Sequence, residues 1–386
     1  MINYAEWGES VLSVYLDNSA TTKPCENAVK KALEMMTENY GNPSSLHQLG
    51  YNAKKELDVS RKTLATFLSC GENEIFFTPS GTTANNTAIL GTARTKKREG
   101  KKIITTFLEH PSVIKPFEML GEMGFETVFL KPDKNGKINL EELSNAVDEN
   151  TILVSVMAVN NEVGSIQDVA KVKSIIKQNK SKAYFHCDAV QGFGKITLKP
   201  KKLGIDLMSM SAHKIHGLKG TGALYVNNSC RLLPSILGGG QESGLVSGTE
   251  ALPNICAFAE AVRNIGNVEE NFARVTQVKQ YFIDKISALD GVYVNSPKDS
   301  LPYIINISCE GVPSQVMLNS LSSMGIFVSA GSACAKGHRS NVLTNMEIPP
   351  KLIDSAIRIS LSKTTTENDM EILYNGIVDT IKRVRR

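Results

Sequence analysis

Lys214 and Asp188 are the residues of this chain whose types and places most plainly ask for chemistry. Lys214 lies in GIDLMSMSAHKIHGLKGTGALYV, after an apolar run that predicts a buried strand and before a glycine-rich turn and a second strand. A lysine cation at the end of a buried strand is costly to desolvate. Two readings fit it. The ammonium snorkels to solvent, or the amine is tied up as a Schiff base with an aldehyde, which removes the charge problem and makes an electrophile. Asp188 closes AYFHCDAV, one crossover earlier. An acid just past an apolar strand either caps the next helix or meets a cationic ligand at the strand ends of an open sheet. A protonated ring nitrogen is such a cation, and pairing with it would strengthen an electron sink.

Other strand ends carry polar groups of useful type. In FTPSGTTANNTAI, Gly81 and Thr82 turn a strand into a helix, with Thr82 as a cap that also offers a hydroxyl. Such a helix start is either an ordinary cap or a phosphate cradle, because its free N–H groups carry partial positive charge. Glu109-His110 follows IITTFL and puts an imidazole where it can stack on a ring and trade protons. Asn160-Asn161-Glu162 follows ILVSVMAV and offers amide donors. Cys334 sits in SAGSACAKGHRS, small, polar and glycine-rich, which predicts a mobile loop. Lys336, His338 and Arg339 follow closely and would lower its pKa. An accidental exposed thiol is the plainer alternative.

These residues need a frame. The apolar runs EIFFT, KKIITT, ETVFL, TILVSVMAV, AYFHCDAV, DLMSMS and GALYV predict seven strands, several separated by amphipathic stretches such as VAKVKSIIKQNK. That is the pattern of an α/β domain with a largely parallel sheet. Residues 238–249, GGGQESGLVSGT, form a polar, glycine-rich loop that closes it. Beyond it a long amphipathic helix (NVEENFARVTQVKQYFIDKISAL), a strand (YIINISCE) and helices over PSQVMLNSLSSMG and PPKLIDSAIRISLS suggest a smaller α+β domain. The expected boundaries are 16–260 for the large domain, and 1–15 with 261–386 for the small one. With Asp188 and Lys214 on successive strands and Gly81-Thr82 upstream, the constellation is that of a pyridoxal-phosphate enzyme.

Composition narrows the class. The 386 residues are 41% hydrophobic and 21% charged, with a net charge of +4, so no nucleic-acid or membrane-surface role is expected. The seven cysteines are dispersed and contain no CxxC, which argues against a disulfide framework or a structural zinc site. No run approaches a membrane span and the start does not read as a signal peptide. The cytoplasm is the expected compartment.

The chain resembles the cysteine desulfurases, class V members of the fold-type I pyridoxal-phosphate superfamily. The likeness runs through YLDNSATT, YGNPSSLHQLG, EIFFTPSGTTANN, TTFLEHPSV, MAVNNEVGSIQD, HCDAVQGFGK, the Lys214 segment, GGGQE…SGTE, VSAGSACAKG and on to Arg358. It implies pyridoxal 5'-phosphate on Lys214, Asp188 on the pyridine nitrogen and His110 stacked on the ring. Gln191 and Asn161 would sit near the ring hydroxyl. Gly81, Thr82, Ser211 and His213 would hold phosphate, joined by Thr249 of the other subunit of a homodimer. Arg358 would clamp the substrate carboxylate, with Asn161 nearby. Lys214 and His110 would move protons. Cys334 would attack the sulfur of the L-cysteine adduct, leave L-alanine, and carry a persulfide to a protein acceptor for iron–sulfur cluster assembly or tRNA and cofactor thiolation. The other six cysteines would be packing residues. A selenocysteine lyase, a desulfurase for DNA sulfur modification, and a non-enzymatic dimeric scaffold are the alternatives. Leu218 stands where the family pattern has proline, and Ser243 and Val246 where it has arginine.

Overall fold

Continuous apolar runs rich in β-branched residues make central strands, and here all seven such runs pair into one sheet. The computed structural model describes residues 13–330 and 339–385. In chain order it runs β1 (Val14–Tyr15), α1 (Glu26–Thr37), α2 (Gln48–Leu68), β2 (Ile75–Thr78), α3 (Gly81–Lys96), β3 (Lys102–Thr106), α4 (Pro111–Glu122), β4 (Glu126–Leu130) and α5 (Leu140–Ala146). It continues with β5 (Thr151–Ser155), α6 (Val169–Gln178), β6 (Tyr184–Asp188), α7 (Pro200–Leu203), β7 (Leu207–Ser211), β8 (Gly222–Val226) and α8 (Leu252–Arg263). The remainder is α9 (Val268–Ile286), β9 (Val292–Val294), β10 (Ile304–Cys309), α10 (Ser314–Ser323), β11 (Ile326–Phe327), α11 (Asn341–Asn345), α12 (Pro350–Ile353), β12 (Ala356–Ser360) and α13 (Glu367–Val384).

The large sheet has the order β2-β8-β7-β6-β5-β3-β4. Only β8 runs against its neighbours, β2 and β7; the pairs from β7 to β4 are parallel. Every residue of β5, β7 and β8 is buried. Successive side chains fall into different apolar clusters: Ile104, Val154 and Met208 pack with residues of α2, α6 and α8, while Ile103 and Leu153 pack with α3 and α4. Side chains alternate across a strand, so the sheet has a helical layer on each face. His186 stitches the centre: its ring nitrogens meet Ser155 Oγ on β5 at 2.8 Å and Ser209 Oγ on β7 at 3.0 Å. Burial pulls its pKa down to about 3, so it is a neutral strand bridge.

The second region is built on an antiparallel β12-β10-β9 sheet. One expectation fails here. PPKLIDSAIRISLS is not one helix: a single turn, α12, ends at Ile353, and Ala356–Ser360 is the strand β12, wholly buried. Ile357 and Ile359 stand opposite Ile307 and Ile305 of β10. Burial against a waiting strand overrides a segment whose local pattern allows a helix. β1 pairs in parallel with β11, and Asp17 bridges to Ser360 beside β12. Residues 14–17 therefore lie against β11 and the end of β12.

Two departures from the family pattern have visible uses. Val246 is buried in a cluster with Ala84, Ala88 and Leu224, and docks the 238–249 loop. Leu218 packs beside Ala28, Ala32 and Ala257, where α1 meets α8. Nothing in the structure explains Ser243, which is exposed with φ of 54°.

Candidate active site

Adjacent parallel strands deliver the central pair. Asp188 ends β6 in register with Ser209 of β7; Lys214 follows β7 after one tight turn. Both emerge at the same end of the same sheet, the end where open α/β sheets bind ligands.

Asp188 is buried and held from two sides. Its Oδ1 accepts from the Val190 N–H at 2.9 Å and its Oδ2 from Asn85 Nδ2 at 2.7 Å. Asn85, on α3, also donates to Ser112 Oγ at 2.9 Å, and Ser112 Oγ lies 2.7 Å from His110 Nδ1. Aspartate, amide, hydroxyl and imidazole form one chain. His110 caps α4, accepting from Ser112 N. Burial lowers its pKa, Lys214 adds to this and Asp188 opposes it, so the ring is neutral. Glu109 beside it is buried, and burial raises its carboxyl well above the usual range.

Lys214 Nζ donates to the carbonyls of Ser19 at 2.6 Å and Ala20 at 2.8 Å. Burial and then the Arg358 cation pull its pKa down to about 8, against Asp17 and Asp188. The amine therefore exchanges its proton near neutral pH, as a group that must alternate between nucleophile and acid should. Gln191 is tied to the same place: its Nε2 donates to the Ser19 carbonyl at 3.0 Å, and its Oε1 accepts from Lys195 Nζ at 3.3 Å. Lys195 is itself pulled down to about 7 by burial, with Lys214 and Arg358 adding to it.

Gly81 opens α3, but the helix cap is Ser80, not Thr82. Ser80 is extended and its Oγ accepts from Thr83 N at 3.1 Å. Thr82 lies one residue inside the helix, exposed. A Cβ on Gly81 would stand 2.8 Å from Val190 Cγ2 and 3.3 Å from Ser211 Cβ, so the loops after β2, β6 and β7 converge there. Ser211 is buried, and His213 Nδ1 lies 3.2 Å from Thr21 Oγ1. Burial and neighbouring lysines pull His213 down to about 4.

Arg358 is buried on β12. Its Nη2 donates to Asp17 Oδ1 at 2.8 Å and its Nη1 to the Asn161 carbonyl at 3.0 Å, while Nε is buried with no partner among the described residues. Asn161 thus comes beside Arg358 through its backbone; the buried neighbour Asn160 braces the loop by accepting from Glu162 N and Val163 N. Thr249 is exposed on the 238–249 loop.

Cys334, Lys336 and His338 lie outside the described residues. Arg339 is committed elsewhere, forming a two-bond ion pair with Asp354. Cys187, Cys256 and Cys309 are buried, and the other three of the six are half-buried. Burial pushes Cys70 and Cys230 up to about 12 and Cys256 and Cys309 up to about 11. Such thiols are packing groups rather than nucleophiles.

Sequence reasoning passed over Asn85, Ser112, Ser19, Asp17 and Lys195. Three of them carried a local signal: Asn85 lies four residues after Gly81, Ser112 two after His110 and Lys195 four after Gln191. Asp17 and Ser19 reach the site from a distant part of the chain.

A match to the aminotransferase class-V family model covers residues 14–373. The chain belongs to the class-V aminotransferase family. Among class-V relatives, it is 36% identical to a protein of Methanosarcina thermophila named cysteine desulfurase IscS, over 97% of this chain and 93% of that one. A solved structure titled NifS-like protein superposes with a TM-score of 0.91 at 34% identity, covering 97% of this chain and 100% of that one. Another, titled SspA in complex with cysteine, gives 0.82 at 29% identity, covering 92% and 100%. The class-V likeness spans both the large sheet and the region built on β12. Among the described residues, no helix is long and apolar enough to cross a membrane.

Proposed function

We propose that this chain is a pyridoxal-phosphate-dependent cysteine desulfurase, converting L-cysteine to L-alanine and passing the sulfur through Cys334 to an acceptor protein. The observation that carries the reading is the place of Lys214: a half-buried amine at the end of β7, its pKa pulled down to about 8 by burial, one strand from the Asp188 carboxylate that Asn85 braces.

The residues fit the cofactor. Asp188 offers a fixed acceptor, His110 a neutral ring, and the start of α3 a glycine-lined approach with donors for phosphate. Ser19 Oγ and Asn85 Oδ1, beside Lys214 and Asp188, are buried with no partner among the described residues; buried polar atoms left unpaired in this way mark where a polar ligand completes the site. Pyridoxal phosphate would be held by Lys214, Asp188, His110, Gln191, Asn161, Gly81, Thr82, Ser211 and His213, with Thr249 given by a second copy. When bound, it supplies an electron sink for the substrate α-carbon.

The chain's own residues do the rest. Lys214 holds or releases a proton near neutral pH. His110, neutral, is available to take one. Arg358 orients the substrate carboxylate. The Cys334 thiolate attacks the substrate sulfur: a sulfur–sulfur bond forms, the carbon–sulfur bond breaks, and the carbon is left to be protonated as alanine. That a relative's structure is titled as a complex with cysteine supports the substrate. The large domain would be 16–260 and the small one 1–15 with 261–386. The expected setting is the cytoplasm.

The test is mass spectrometry of purified protein after L-cysteine. Wild type should release alanine and show an added sulfur on Cys334. Cys334→Ser should keep the cofactor absorbance and lose the transferable sulfur; Lys214→Ala should lose both absorbance and alanine. Full sulfur delivery to an acceptor by Cys334→Ser would sink the reading.

A further inference from the structure

Arg358 has a companion that the carboxylate-clamp reading does not use. Asp17 reaches it from the other end of the chain, and the backbone makes that meeting obligatory. Ser360 N donates to the Leu16 carbonyl at 2.6 Å, Ser19 N to Ser360 Oγ at 2.8 Å, and Asn18 Nδ2 to the Ser360 carbonyl at 2.8 Å. Residues 16–19 are thus stitched along the end of β12, two positions from Arg358. Asp17 then meets the guanidinium directly, its Oδ1 lying 2.8 Å from Nη2.

A guanidinium has five N–H donors in a fixed plane. Asp17 takes one from Nη2 and the Asn161 carbonyl takes one from Nη1. Holding both terminal nitrogens removes the freedom to rotate about the side-chain axis. The donors left over are Nε–H, buried with no partner among the described residues, and one N–H on each terminal nitrogen. These can still grip a carboxylate with two parallel bonds.

The same short segment also governs the amine. The carbonyls of Ser19 and Ala20 accept from Lys214 Nζ. Arg358 disfavours the Lys214 cation and Asp17 favours it. Asp17 therefore offsets, as felt by Lys214, the charge of the arginine it holds.

We propose that Asp17 is a positioning residue: its carboxylate fixes the Arg358 guanidinium in the orientation that receives the substrate's α-carboxylate. The proposal rests on reading Arg358 as the carboxylate clamp. A different role for the same pair is competition, in which Asp17 occupies donors that the substrate needs. The two roles differ in sign.

The experiment compares Asp17→Ala and Asp17→Asn with wild type in the full-length holoenzyme, by steady-state kinetics on L-cysteine and by calorimetric binding of L-alanine. Asparagine keeps an oxygen that accepts from Nη2; alanine does not. The expected result for Asp17→Ala is a KM for L-cysteine and a Kd for L-alanine each raised about tenfold or more, with kcat within about threefold. Asp17→Asn should restore both constants to within about threefold of wild type. Should Asp17→Ala not be recovered, Asp17→Ser gives the same readout, its hydroxyl being too short to reach Nη2. Unchanged or tighter binding in Asp17→Ala overturns the proposal, as does a fall in kcat with KM fixed. Absence of alanine release by wild type would instead overturn the desulfurase reading, while the L-alanine affinities still decide the role of Asp17.

Discussion

Asn85 shows how a site of this kind is held from behind. It is buried on α3 and donates both to Asp188 Oδ2 at 2.7 Å and to Ser112 Oγ at 2.9 Å. The bond to the carboxylate is charge-assisted, and such bonds contribute about 1.5–3 kcal/mol. Without it, Asp188 keeps only the Val190 N–H and is free to turn. Asn85→Ala should therefore weaken cofactor retention by about tenfold to a hundredfold, since about 1.4 kcal/mol is a factor of ten. Equilibrium dialysis followed by absorbance measures this. Retention equal to wild type in a folded Asn85→Ala protein would show that Asp188 needs no brace. Nothing about Asn85 as a letter in the sequence announces the role. It lies one helical turn past Gly81, and only the packing of α3 across β6 brings its amide to the aspartate.

At the scale of elements, the sequence was legible where hydrophobic period decides structure. The seven strands, α9, α10 and the placement of Lys214 and Asp188 at strand ends all followed from apolar runs and their borders. β12 was misread because AIRIS is short, and its pairing with β10 is invisible in local pattern. Local pattern gives the YLDNSATT segment no task, since its contacts with Lys214, His213 and Arg358 depend on its lying beside β12. Edge protection was equally hidden. β2 is the outer strand of the large sheet, and Glu242 covers it: Oε2 accepts from Phe77 N at 2.8 Å, and the carboxylate takes both Arg61 terminal nitrogens at 2.7 and 2.8 Å. A loop acid thus caps an edge strand that would otherwise offer unpaired groups, and pins the 238–249 loop. Arg61→Met leaves that acid buried without its cation, and should cost about 3 kcal/mol on chemical denaturation. Protease cleavage within 238–249 should rise with it. The double replacement Arg61→Met with Glu242→Leu should recover part of the loss, because no buried charge remains; a double variant less stable than the single one would contradict this.

At the scale of the whole molecule, the outward face of α1 is the feature a single chain leaves unexplained. Ala28, Ala32 and Met35 face the core, while Val29, Leu33 and Met36 are 50%, 57% and 57% exposed. Tyr40 just beyond is 66% exposed, and Leu46 and Tyr51 are open too. The spacing of 29, 33 and 36 is that of one helical stripe. A helix apolar on both sides is what an interface predicts, since soluble chains seldom leave such a patch to water. Thr249 is exposed on its loop, as a residue given to a neighbour must be. The proposed twofold homodimer would account for both, because in an isologous contact each copy offers the same patch. Sedimentation velocity at micromolar concentration should show two chains for wild type and one for Leu33→Glu with Met36→Glu. Both replaced side chains are exposed in the single chain, so the melting temperature of the separated chain should fall only by the loss of the partner. Its hold on pyridoxal phosphate should weaken as well if Thr249 arrives from across the interface as proposed. A double variant that stays dimeric would place the contact elsewhere, and one that is monomeric yet binds the cofactor like wild type would remove Thr249 from the site.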